Sequence, residues 1–239
     1  MKRSCLIMIA LMMIIGLCSC NSESNNKDNF DNTEKTYMTS HCSKEDVDAF
    51  CDIIGELQGE GLLSGLVLDK EKCFNVTPQQ VELETNYKVF KFSDSCASFV
   101  MIDNEVYTLC EWFGGYGFVN AVPCDFDNDG NKDLLVASSW GSGLHRSVIS
   151  VFNSTTKEST VIYDTSTTDN PQIDLIVAIS TPSFSSKDPS AVPIYYQVYS
   201  AEIKSNDNNW ADLSYVATGV VGSISTENGV IAFIPTEKS

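Results

Sequence analysis

The stretch VNAVPCDFDNDGNKDLLVASSW, residues 119–140, decides the fold. Its flanks, VNAVPC and LLVASSW, are short apolar runs, and both suit a sheet. Between them an acidic bend runs from Asp125 to Asp133 and contains Gly130. Beyond about residue 85 the same rhythm continues in YKVFKF, SFVMID, EVYTLCEWF, SVISVF, STVIYD, DLIVAIS, PIYYQVYSAEI and GVIAFI. Turn formers separate these runs: Asp103-Asn104, Gly114-Gly115, Gly141 to Gly143, Asn208-Asn209 and Asn228-Gly229. Many short strands at close spacing predict a mainly β domain, either an antiparallel sandwich or a set of propeller-like blades.

One amphipathic helix is expected at the N-terminal side of this domain, at about residues 43–58. Ser43 can cap it and Asp46 follows three residues later, while Val47, Phe50, Cys51, Ile54 and Leu57 recur at helical spacing. Gly59 and Gly61 end it. A faint repeat also runs through the strands, with Asp-Leu pairs at Asp133, Asp174 and Asp212, 41 and 38 residues apart. That spacing is near one propeller blade, but three units fall short of a closed ring. A short aliphatic pattern recurs easily in strands, and coincidence is the favoured reading.

The acidic bend carries the chemistry. Asp125, Asp127, Asp129 and Asp133 fall at positions 1, 3, 5 and 9, offset only by Lys132. Without a cation their oxygens repel one another across a few ångströms. A hard divalent ion turns that repulsion into coordination, and calcium suits a crowd of oxygens better than magnesium, which keeps its water shell. Gly130 supplies the sharp turn, and the Asn131 carbonyl can serve from position 7. An EF-hand is excluded, because Val136 stands where that family places its bidentate glutamate and the flanks read as strands.

The stretch FGGYGFVNAVPCDFDNDGNKDLLVA, from Phe113 to Ala137, resembles the FG-GAP/VCBS-type calcium loops of integrin-like propellers. The matching pieces are Phe113-Gly114, the Asp125–Asp133 loop and Leu134. The resemblance implies calcium ligands at Asp125, Asp127, Asp129 and Asp133 and a backbone oxygen at Asn131. It covers one copy only, and Ser138-Ser139-Trp140 stands where that family has Gly-Ala-Pro. At the affinity of extracellular calcium modules, near millimolar ambient calcium, occupancy would contribute about 0.4–1.4 kcal/mol. The ion is therefore expected to brace a turn, and no accompanying base or nucleophile suggests an enzyme. The rival reading takes Asp125 and Asp127 as the aspartate pair of a haloacid-dehalogenase-type phosphatase. It is disfavoured because the chain lacks that fold's alternation of strand and helix.

The first residues read as an address. Lys2 and Arg3 precede an apolar run from Cys5 to Leu17, followed by Leu17-Cys18-Ser19-Cys20. The run is short for a membrane span and has the layout of a secretory signal. Its ending resembles the lipobox of bacterial lipoproteins, which implies removal of residues 1–19 and lipidation of Cys20. Acyl chains at Cys20 would then hold the protein on a cell membrane or outer membrane, on its extracytoplasmic side. Residues 20–40, poor in apolar side chains, read as a flexible tether, and 41–239 as a single domain. The whole chain carries a net charge of −17, and losing Lys2 and Arg3 with the leader makes it −19. That balance argues against nucleic acid and anionic headgroups as partners of the folded part.

Of nine cysteines, six remain after processing and lipidation: Cys42, Cys51, Cys73, Cys96, Cys110 and Cys124. Cys96 with Cys110 is the most plausible disulfide, provided that a bulge corrects the register, and buried free thiols are an equal alternative. A second stretch, Gly141-Ser142-Gly143-Leu144-His145-Arg146, could present His145 and Arg146 to an anionic ligand, although a plain hairpin turn is favoured. Trp112, Tyr116, Phe118 and Trp140 could form a sugar-stacking platform or belong to the core. The expected protein is a lipid-anchored, calcium-binding ligand-binding or adhesion module, with a purely structural envelope lipoprotein as the alternative. Its partners would be the membrane through Cys20 and a glycan or protein ligand.

Overall fold

Among the described residues the apolar runs form thirteen strands, and two α-helices accompany them. The computed structural model describes residues 38–180, 195–227 and 230–236, which lie in one compact unit, Lys35–Ser239. The leader, Cys20, most of the tether and the Asn228-Gly229 turn lie outside the described residues. In order the elements are β1 (Met38–Thr39), α1 (Val47–Gly59), β2 (Cys73–Asn75), α2 (Gln79–Glu84), β3 (Lys88–Phe92), β4 (Ser98–Ile102), β5 (Glu105–Cys110) and β6 (Gly117–Cys124). Then come β7 (Asp133–Trp140), β8 (Arg146–Asn153), β9 (Glu158–Asp164), β10 (Leu175–Ser180), β11 (Tyr195–Asn206), β12 (Asn209–Glu227) and β13 (Val230–Pro235). Among the described residues all strand pairs are antiparallel, and no sheet closes into a barrel.

Three sheets result. Two are simple meanders, β2-β3-β4-β5 and β6-β7-β8-β9, and the third orders its strands β1-β12-β11-β10 with β13 added to β12. The β6–β9 sheet is the middle layer, because both of its faces are covered. Leu134, Val136 and Phe152 pack with Val89, Val100 and Ile102 of the first meander. Their sequence neighbours Leu135, Ala137 and Val151 pack with Leu175, Val177 and Val198 of the third sheet. A strand covered on both faces needs apolar residues at every position, which is why LLVA is unbroken. Each buried leucine and valine there contributes about 1.5–3 kcal/mol by leaving water. The architecture is a layered, sandwich-like stack.

Helix α1 seals the outer face of the first meander. Phe50 stacks on Phe90 with ring centroids 4.1 Å apart, and Phe92 and Phe99 lie around the same ring at 6.2 and 5.8 Å. The helix begins at Val47, with Asp46 as its left-handed cap residue. Ser43 does not cap it, because its backbone N–H and C=O are both spent on a bridge to Asn75. The short helix α2, which follows Pro78, was not foreseen. The three Asp-Leu pairs fall at non-equivalent places: the start of β7, the residue before β10, and the interior of β12. The pattern is coincidence, not a structural repeat.

No disulfide bond is formed among the six cysteines of the described residues. A bulge between Ser98 and Phe99 sets Cys110 opposite Ser98, which moves it one position further from Cys96. Cys96 lies in a left-handed turn, and its thiol is directed to the Gly115 carbonyl at 3.4 Å. The expected Cys96–Cys110 pair therefore does not form.

Candidate metal centre

The acidic bend joins β6 to β7, whose last pair is Cys124 opposite Asp133. Phe126 anchors it from below, buried and packed on Tyr196 of β11 at 5.1 Å between centroids. With that side chain turned inward, Asp127 and Asp129 are left in solvent. The backbone reverses through left-handed conformations at Asn128 (φ 58°) and Gly130 (φ 87°). Asp125, Asp127 and Asp129 converge as the alternation foresaw: one oxygen from each lies within 4.8 Å of the others. Those distances suit oxygens that share a cation, since ligands 2.3–2.6 Å from calcium lie within about 5 Å of each other.

A second turn, between β8 and β9, supports the bend from the side. The Asn153 amide donates to Asp127 Oδ2 (2.8 Å), and the Thr155 hydroxyl donates to Asp129 Oδ2 (2.5 Å). Within the loop, Asp129 N–H donates to Asp127 Oδ1 (3.1 Å) and Asn131 N–H to Asp129 Oδ1 (2.7 Å). Donation from Thr155 first, then Asn131, holds the Asp129 carboxyl below its ordinary range. On the other flank Tyr87 donates its hydroxyl to the Lys132 carbonyl at 2.5 Å, and Lys132 pairs with Glu84 at 3.4 Å.

Two carboxylates differ from these. Asp133 is 1% exposed and stands outside the converging trio. Its Oδ1 accepts from Ser154 N–H (2.9 Å) and its Oδ2 from Phe126 N–H (3.4 Å), so it ties the two turns together. Burial is the main influence on its pKa and raises it. Asp125 sits at the mouth of the loop, and its Oδ1 is buried with no hydrogen-bond donor. An orphaned buried oxygen costs stability unless something positive meets it. The donor set is all oxygen and hard, and it fits calcium. Asn131 contributes its side-chain amide to Asp129 (3.0 Å) and to Thr155 (3.3 Å). The support from Asn153 and Thr155 was not anticipated, since only the β8–β9 hairpin, far along the chain, brings them there.

His145 and Arg146 lie at the opposite end of β7 and β8, eight residues or about 25 Å away, and do not join this loop. Arg146 lies over the Trp140 ring at 5.3 Å, and the His145 ring meets the edge of Tyr116 at 4.8 Å. Their hairpin is clamped to the Phe113-Gly114 segment by a hydrogen bond from Gly141 N–H to the Phe113 carbonyl (2.7 Å). A Cβ on Gly114 would meet the Gly141 oxygen at 2.4 Å, so this approach requires glycine. Of the four aromatics considered together, Trp112 and Trp140 line one cleft of about 570 Å³ with Ser138, Ser150, Ser159 and Asp164. Phe118 is buried instead, and Tyr116 packs against Trp210 at 5.5 Å.

No family model, no curated protein and no solved structure matches this chain.

Proposed function

We propose that this chain is a lipid-anchored, extracytoplasmic binding module whose Asp125–Asp133 loop holds one structural calcium ion. The observation that carries the reading is the convergence of Asp125, Asp127 and Asp129, of which Asp125 also has a buried oxygen without a donor. Asp133 and Asn131 complete the loop, the first by tying it to the β8–β9 turn and the second by fixing Asp129. Calcium there joins two hairpins and does no chemistry on a substrate. The anchor rests on Cys20 and the apolar leader before it. Mass spectrometry of the mature chain should find acyl groups on an N-terminal Cys20, and a mature chain with Cys20 unmodified would refute the anchor.

The ligand seat is the cleft between β5 and the β7–β9 face, where Trp112 and Trp140 stand among serine hydroxyls and the Asp164 carboxylate. Flat apolar rings beside hydroxyl and carboxylate groups suit a sugar, which has an apolar face and a polar rim. The test is an array of soluble glycans and envelope proteins probed with the full chain, with and without a calcium chelator. Saturable binding that weakens in Trp140→Ala supports the module. Absence of any saturable ligand would leave a structural envelope lipoprotein.

A further inference from the structure

We infer that Cys51 and Cys73 form the native disulfide of this protein, stapling α1 to β2. The placement begins with Phe50, which stacks on Phe90 and lies 6.2 Å from Phe92. Across the strand pair, Phe90 and Phe92 stand opposite Asn75 and Cys73. Cys51, the next residue on the helix, is buried in the same cluster as Cys73. Both belong to the buried cluster beneath α1, at 1% and 0% exposure, and α1 packs directly on β2.

The backbone around both is already pinned. Lys44, ahead of the helix, donates to the carbonyls of Lys70 (2.9 Å), Glu71 (2.8 Å) and Cys73 (2.8 Å). Lys70 reaches back to Asp48 (3.3 Å) and Asp52 (2.9 Å) on α1. These contacts tie the segment that leads into Cys73 to the N-terminal half of α1. Among the described residues the other thiols lie elsewhere: Cys96 is turned to the Gly115 carbonyl at 3.4 Å, and Cys42 and Cys110 pack on a different cluster. Cys124 lies in a different cluster, on the far side of the middle sheet.

The oxidant is a small or protein disulfide, RSSR. One cysteine sulfur displaces RSH and forms a mixed disulfide. The second cysteine sulfur then attacks that mixed disulfide at the first cysteine and displaces the other RSH. Two electrons and both thiol protons leave with the two RSH molecules, and one S–S bond joins the helix to the strand. Because both sulfurs are buried in the finished fold, exchange takes place while α1 is docking.

The test is to refold the full chain in a mixture of reduced and oxidised glutathione, trap free thiols, and map peptides without reduction. The expected result is one linked pair joining the peptides of Cys51 and Cys73, retained in about a tenfold excess of reduced glutathione. The bridged chain should melt about 6–12 °C above its fully reduced form. Trapping of both Cys51 and Cys73 as free thiols, or linkage of either one to another cysteine, would overturn the assignment. The map is made on wild-type protein, so it does not depend on a variant that folds.

Discussion

The sequences Asp133-Leu134-Leu135-Val136-Ala137 and Asp174-Leu175-Ile176-Val177-Ala178 are nearly the same, yet the aspartates that open them have opposite fates. Asp133 starts a strand of the middle sheet and accepts two backbone hydrogen bonds, from Ser154 and Phe126. Asp174 precedes β10, the edge strand of the third sheet, and its Oδ1 is buried without a donor. Burial pushes the Asp174 carboxyl up to about 6, and only the charge of nearby His145 works against this. The apolar letters set the strand in both copies. What a leading carboxylate does is set by whichever turn the topology brings beside it, and near Asp133 that turn is Asn153–Thr156.

Removing the carboxylate is the most forceful way to break this comparison. Asp133→Ala leaves two backbone donors without an acceptor and should lower stability by about 2–4 kcal/mol in urea titration. It should also loosen the acidic bend from the β8–β9 turn. Asp174→Asn should act in the opposite direction. A carboxyl whose pKa is higher in the folded state than in the unfolded one binds more protons when folded. The wild type therefore loses stability as pH rises between about 4 and about 6. The asparagine variant should gain on the order of 2 kcal/mol over wild type at pH 7.5 and little at pH 3.5. Equal stability differences at both pH values would remove the contrast. The smallest effect is that of Asp129→Ala, which takes one converging oxygen from the bend. It should abolish a calcium-dependent rise in Tm of about 1–5 °C and change the calcium-free Tm little.

Much of the fold was legible because alternation in strands and the helical spacing of Val47, Phe50, Cys51 and Ile54 are written locally. The Asp125, Asp127 and Asp129 trio was legible for the same reason: alternate residues of a tight bend point together. Lys91 was not legible. It sits in KVFKF with the look of a solvent-facing residue, but Val89 and Lys91 share the face that meets the middle sheet. Its ammonium is buried and donates to the Phe118 carbonyl at 2.9 Å, and burial lowers its pKa to about 8. Nothing local announces that a second sheet will cover it. The same limit applies to Asn153 and Thr155, which need a pairing distant along the chain. Ser43 shows the reverse error, a good local cap whose backbone is taken by Asn75.

In the proposed function a captured dication completes the bend between β6 and β7. Isothermal titration of calcium into the chelator-treated full chain tests it most directly. The expected result is saturable uptake of one ion with a Kd of about 10⁻⁴–10⁻³ M, lost in Asp129→Ala. Heats no greater than dilution up to several millimolar calcium, or equal uptake by the variant, would contradict it.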